Sequence, residues 1–382
     1  MRGSLVRCAL AWAPVVAVAH LAAAASVAGA APLAASEVPG SYLADARRVV
    51  DAASQPGAAW VGPRAGPRAQ PGKRIALVNE DLRNGGILAV DEGVVEAARV
   101  IGWSVKVYDS GGTPEGRRKM LADALNSHPD GLIALGGDAH ALLPWLQPFA
   151  ERHIPIVGWH VAAEAGPVRG TPVAMNVSTD PLEVARVTAL AAIVQSGGHA
   201  GVVVFSDTNY ALPKAKADAM AAVVRGCAGC TLLEVRDVAI SRNAELMPAT
   251  TRELLARYGK RWTHALAIND IYFDYAVPVL TQAALPNDAL SMLSAGDGSE
   301  SAFQRIRKGT FQTGTVAEPL NLHGWQLVDE LNRLFAGERV TGTVFPVHLV
   351  TADNVDADGG DRLLYDPANG YRDIYRRIWQ RP

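Results

Sequence analysis

Polar side chains stand where apolar runs of this sequence end. Ile154-Pro155-Ile156-Val157-Gly158 runs into Trp159-His160, Ala267-Ile268 into Asn269-Asp270, and Ser294-Ala295 into Gly296-Asp297-Gly298. Glu318 follows Thr315-Val316-Ala317, and Asn84 sits in the polar loop that ends in Gly85-Gly86. A carboxylate accepts hydrogen bonds from two hydroxyls, and an amide both donates and accepts. An indole face beside an imidazole suits the C–H face of a small polyol. Together these residue types fit a small hydroxyl-rich molecule. A plainer reading stands beside this one: Trp159 caps the core, His160 is solvated, and Asn269, Asp297 and Glu318 cap the helices that follow.

Other chemistries find less support. The glycines after Arg74–Asn79 match neither G-x-G-x-x-G nor G-x-x-x-x-G-K-S/T, which speaks against a nucleotide. The nine histidines show no H-x-x-x-H or similar spacing, so no dedicated metal site is expected. No nucleophile lies in an evident partner motif for His160, so no catalytic residue and no cofactor are assigned. Paired carboxylates could hydrolyse a glycoside, but sequence does not give their separation. Thr179-Asp180-Pro181-Leu182-Glu183 combines an N-cap, a first-position proline and a first-turn acid, so Asp180 reads as a cap before it reads as a ligand contact.

Cys227 and Cys230 follow a helical run over 213–225 and precede a strand-like run over 231–235. At a helix C-terminus the dipole opposes a thiolate, so the pair reads as a structural disulfide and not as a redox C-x-x-C.

The elements needed to position these residues alternate along the chain. Strand-like runs at 74–79, 104–108, 131–135, 156–159 and 173–177 are separated by helical stripes at 87–101, 114–126 and 139–152. A second set has strands at 200–205, 231–235, 264–268, 290–294 and 313–316, then a helix over 320–335 and a strand over 345–350. Apolar strands separated by helices predict an α/β fold of doubly wound parallel sheets, here in two lobes. Residues 353–360 read as a polar loop and 371–379 as an aromatic helical turn packed on a lobe. Residues 42–53 read as a short amphipathic helix. The Pro- and Gly-rich segment 55–72 around Trp60 is either a tether or an arm laid across the body.

The 382-residue chain opens with Arg2 and Arg7, an apolar run from Ala9 to Ala28, and Ala28-Gly29-Ala30. That is the pattern of a cleaved export signal spanning residues 1–30, while Cys8 lies too early for lipid attachment. A membrane anchor is the alternative, interrupted by Pro14 and His20. Removing Arg2 and Arg7 leaves 34 basic against 38 acidic residues, too even a balance for a nucleic-acid or anionic-lipid surface. An exported protein works where ATP and NAD are not supplied.

From about Lys73 to Val350 the chain resembles the type I periplasmic sugar-binding proteins that serve ABC importers. Ile75-Ala76-Leu77-Val78, Pro129-Asp130-Gly131-Leu132-Ile133, Ile154-Pro155-Ile156-Val157, Ala267-Ile268-Asn269-Asp270 and Gly296-Asp297-Gly298 carry the resemblance, in the family's order. It resembles the LacI-type repressors less, because they carry a helix-turn-helix where this chain has its signal and arm. The resemblance implies a two-lobed periplasmic receptor whose lobes join through three crossings, near 177–180, 316–318 and 348–349. Residues 73–178 with 319–347 would form lobe 1, and 179–318 with 348–382 lobe 2, behind the N-terminal helix and arm of 31–72. It further implies a small-molecule ligand, a membrane permease as partner and a monomeric state. A receptor that signals instead of transporting shares the same closure, and a secreted hydrolase on this fold is the more distant alternative.

Carried over by position, the family's cleft asparagine falls on Asn84, its second-lobe arginine on Lys216, and two second-lobe contacts on Asn269 and Asp297. Glu318 stands where many members have Gln. The family's Asp-Arg pair falls on His160 and Val161, so that charged grip is missing. Its aromatic pair is replaced by Gly86 and Ile87, leaving Trp159 to compensate. These departures leave open a sugar other than a plain pentose, a polyol or a less polar ring.

Overall fold

The computed structural model describes residues 40–57 and 59–380. The proposed export signal, with Cys8, lies outside them.

Helix α1 (Gly40–Ala53) comes first, followed by β1 (Arg74–Asn79), α2 (Gly85–Ile101), β2 (Ser104–Asp109), α3 (Pro114–Asn126) and β3 (Gly131–Leu135). Then come α4 (Leu143–Glu151), β4 (Ile156–Trp159), β5 (Val173–Val177) and α5 (Pro181–Gln195). The second half contains β6 (Gly201–Ser206), α6 (Ala211–Gly226), β7 (Thr231–Asp237), α7 (Asn243–Tyr258), β8 (His264–Ala267), α8 (Ile271–Gln282) and β9 (Ser291–Ser294). It closes with α9 (Glu300–Arg307), β10 (Gln312–Ala317), α10 (Leu320–Phe335), β11 (His348–Thr351), α11 (Val355–Gly359) and α12 (Tyr371–Gln380).

Two sheets result, ordered β2-β1-β3-β4-β5 and β11-β10-β9-β8-β6-β7. Every pairing is parallel except β10 with β11. The apolar runs explain this: Ile75 and Leu77 of β1 pack into one core, and Ala76 and Val78 into the core on the opposite face. A strand buried on both faces needs helices above and below, and parallel order provides them. Helix starts follow local chemistry. Asn84 accepts from Gly86 N to begin α2, and Thr113 caps α3 before Pro114. Asp180 accepts from Leu182 N and Glu183 N at the head of α5, the cap its sequence predicts.

The chain leaves the first sheet after β5, returns after β10 so that α10 packs against α2, and re-enters the second sheet at β11. Three expectations are corrected here. Phe345 precedes the last strand, which starts at His348, because Phe345 is buried in the first lobe's core. Residues 355–359 form the short helix α11 instead of a loop, with Val355 packed on Phe303 and Ile306 of α9. The C-terminal helix belongs with lobe 1 and not lobe 2. Trp379 stacks on Trp325 of α10 at 5.4 Å and donates to Asp329 Oδ1 at 2.8 Å.

The Trp60 segment is an arm. Trp60 meets Phe345 at 5.5 Å and the edge of Tyr375 at 5.4 Å. Behind it, Arg333 donates to Ala65 O, Ala69 N to Trp379 O, and Gln70 N to Asn332 Oδ1, each at 2.9 Å. Helix α1, by contrast, lies on α5 of the second lobe, with Ala46 against Leu190, Ile193 and Cys227. Cys227 and Cys230 are disulfide-bonded between the end of α6 and β7. Removing the indole strips this half-buried anchor from the first lobe. Trp60→Ala should lower stability by about 2 kcal/mol in denaturant unfolding; an unchanged midpoint would show the arm to be a passive tether.

Candidate functional site

The carboxyl ends of both sheets face one another across a cleft of ≈ 650 Å³, counting the solvent at its mouth. Parallel sheets gather ligands at such ends. Asn84, Trp159 and His160 line it from the first lobe, and Lys216, Asn269 and Asp297 from the second. Glu318 is fully buried beside them, at the point where the chain passes between lobes.

His160 organises the first-lobe side. Its φ of 54° is uncommon for a residue with a Cβ, and this turn at the end of β4 lays the imidazole over Trp159 at 3.7 Å, nearly parallel. The indole face expected to receive a ligand is thus covered by the imidazole. His160 Nε2 donates to Glu318 Oε2 at 3.1 Å. Trp159 Nε1 donates to His323 Nδ1 at 3.1 Å, so His323 offers a lone pair there. Burial lowers the His323 pKa to about 4, and its 3.6 Å approach to Glu318 is therefore not an ion pair near neutrality. Burial pushes the Glu318 carboxyl up, but His160 and Lys216 outweigh it and hold the group well below the usual carboxylate range.

On the second lobe, Lys216 of α6 is buried, donates to Ala295 O at 2.9 Å and lies 3.7 Å from Glu318 Oε1. Asn269 donates through Nδ2 to Asp297 Oδ2 and accepts from Ile271 N at 2.9 Å. Its neighbour Asp270 turns away from the cleft and fixes the loop that carries Asp297, accepting from Gly298 N at 2.8 Å and Ser299 N at 3.1 Å. Glu318 N closes the same loop by donating to Asp297 O at 3.1 Å. Burial raises the Asp297 pKa to about 6, against the pull of Lys216 and His160.

The lobes touch through residues the sequence reading passed over. Tyr210, just before α6, donates to Glu80 Oε1 at 2.6 Å and accepts from Arg117 Nη1 at 2.7 Å; Arg117 also bonds Glu80. Burial raises the Glu80 pKa despite both partners. Ile87, Leu212, Ile240 and Ile268 supply aliphatic wall. Glu80 directly follows β1 and Tyr210 lies in the loop after β6, so strand ends pointed to both. Arg117, on a helix face, carried no such signal.

Donor atoms of His160, Asp297 and Glu318 lie within 4.8 Å of one another, a spacing that could hold a metal ion. They come from three separate elements, so no linear spacing could reveal them. Lys216 beside Glu318 opposes a doubly charged ion there.

Asp297 lies against the N-terminus of α2, where a Cβ on Gly86 would overlap its carboxylate. A Cβ on Gly85 would come within 2.9 Å of Ser299 Cβ, and one on Gly112 within 2.7 Å of Ser241 Cβ. Glycine here permits the lobes to meet, and the helix terminus favours an anion. Gly86→Ala should therefore weaken the closed arrangement by about 1–3 kcal/mol. Solution scattering should show a larger radius of gyration than for the parent; identical profiles would refute the role given to Gly86.

Solved structures share this fold. A solute-binding protein of an ABC transporter from Agrobacterium vitis, with bound allitol, is 19% identical, covers 75% of this chain and 97% of its own, and has a TM-score of 0.64. A second from Agrobacterium vitis, bound with alpha-D-tagatopyranose, is 15% identical over 77% of this chain and 99% of its own, at 0.68. One from Mycobacterium smegmatis, with bound glycerol, is 18% identical over 77% and 99%, at 0.66. At these identities the likeness establishes the fold. No curated protein matches the sequence significantly. The family model described as a periplasmic binding protein domain matches residues 75–339, well over half of the chain. The protein belongs to the periplasmic binding protein family.

Proposed function

We propose that the protein is a periplasmic receptor that captures a small polyhydroxy compound between its lobes and delivers it to an ABC import permease, acting as a monomer. The observation that carries this reading is a single cleft lined by hydrogen-bonding side chains from both lobes. Similar folds hold allitol, alpha-D-tagatopyranose and glycerol. No helix among the described residues is long and apolar enough to cross a membrane, and the N-terminal signal pattern fits export.

In this reading Asp297 and Asn269 accept and donate to hydroxyls, Lys216 donates, and Asn84 and His160 complete the ring of contacts from the opposite lobe. Glu318 holds His160 in place, and Trp159 backs it. Ligand binds the open form and is enclosed on closure, because only the closed form completes both half-sites. Tyr210, Glu80 and Arg117 then join the lobes at the mouth.

The test is mass spectrometry of small molecules that co-purify with the protein, together with thermal melting in the presence of allitol, tagatose, glycerol and myo-inositol. A ligand at a hundredfold excess over its Kd should raise the melting temperature by about 5 °C. Absence of any shift together with an empty mass spectrum would remove the reading.

A further inference from the structure

Asp297 lines the floor of the cleft and Glu318 is fully buried beside it. Among the described residues, the one permanent cation next to these two carboxylates is Lys216, since His160 adds a second charge only when protonated. At the mouth, Glu80 is paired with Arg117 and Asp81 with Arg83. Deeper in, Lys216 lies 3.7 Å from Glu318 Oε1, while Asp297 has no ion-pair partner among the described residues. Lys216 directs one of its three N–H groups to Ala295 O and stays beyond hydrogen-bond distance of Glu318 Oε1, which is buried with no hydrogen-bond donor. A buried carboxylate oxygen without a donor is costly, and so is a buried charge without a counter-charge. The two carboxylates are close enough for one compact cation to touch both, since polar atoms of His160, Asp297 and Glu318 lie within 4.8 Å of one another.

We propose that the captured molecule carries a protonated primary amine, seated on Asp297 and Glu318 beside His160, so that the ligand class is an amino-sugar or amino-polyol. This rests on the capture of a polyhydroxy compound proposed above and narrows it. An ammonium group supplies three donors and one positive charge, which with Lys216 balances both carboxylates while His160 is neutral. A hydroxyl in the same place supplies a donor but leaves the charge uncompensated. A divalent metal ion would overshoot the balance and lie against the Lys216 ammonium. The raised pKa of Asp297 fits this arrangement: below about pH 6 a proton supplies, in the empty closed cleft, the positive charge that the ligand otherwise brings. The aliphatic wall of Ile87, Leu212, Ile240 and Ile268 leaves the rest of the ligand little further charge to meet.

Calorimetric titration with matched pairs tests this: glucosamine against glucose, galactosamine against galactose, glucamine against sorbitol, and serinol against glycerol, all at pH 7 with EDTA. In at least one pair the amine should bind about tenfold tighter or more, the difference expected between a charge-assisted and a neutral hydrogen bond. Asp297→Asn, checked for native circular dichroism, should erase that ratio, and Glu318→Gln should reduce it. If the neutral member binds as well or better in every pair, the amine is wrong and polyol capture stands. If no member of any pair binds, both readings fail together. Binding that requires added calcium or zinc in place of EDTA would overturn the amine in favour of a metal-bridged ligand.

Discussion

The structure depends on placing a buried carboxylate of one lobe against the helix terminus of the other. Asp297 reaches across to the start of α2 because positions 85 and 86 are glycine, and it is held there from behind by Asn269 and by the loop that Asp270 fastens. Desolvation penalises the carboxylate's charge, while the helix terminus and Lys216 offset part of that penalty. The balance is near enough to even for protonation or a ligand to tip it. Closure that hides an ionisable group couples the open–closed balance to protonation and to ligand, the population shift on which the proposed capture relies.

The hinge is more constrained than three crossings imply. Helix α1 packs on α5 of the second lobe, and the arm that follows places Trp60 on Phe345 and Tyr375 of the first. At the other end, α11 packs on α9, and α12 then returns to Trp325. The N-terminal and C-terminal segments therefore each add a link between the lobes. Chain joining two rigid bodies limits how far they separate, so both additions bear on the amplitude of opening as well as on stability.

Much of the fold was legible because it depends on local rules. Burial on both faces makes parallel strands near-continuous apolar runs, so β1, β3, β4 and β5 begin and end where the sequence places them. Asp180 and Pro181 mark a helix start by chemistry confined to the four residues from Asp180 to Glu183. What failed depended on distant partners. Phe345 looked like strand until the first lobe's core claimed it, and α12 went to the wrong lobe because Trp325, on which it stacks, lies far back in the chain. The site divides in the same way. Strand ends located Asn84, His160, Asn269 and Asp297 at the cleft. The covering of Trp159 by His160, and the Tyr210–Glu80–Arg117 junction, are facts of three dimensions.

The distance between spin labels at Glu115→Cys on α3 and Lys214→Cys on α6 tests the central claim, that closing the lobes buries Asp297, most directly. The Asp297 pKa is about 6 in this closed form against an ordinary 3.8, so if opening exposes the carboxyl, as the account holds, the closed form binds the proton more tightly. In the empty protein the short-distance population should be largest at low pH and fall as pH rises from about 4 to about 6. Saturating ligand should restore it at pH 7. A single distance, indifferent to both pH and ligand, would contradict the account.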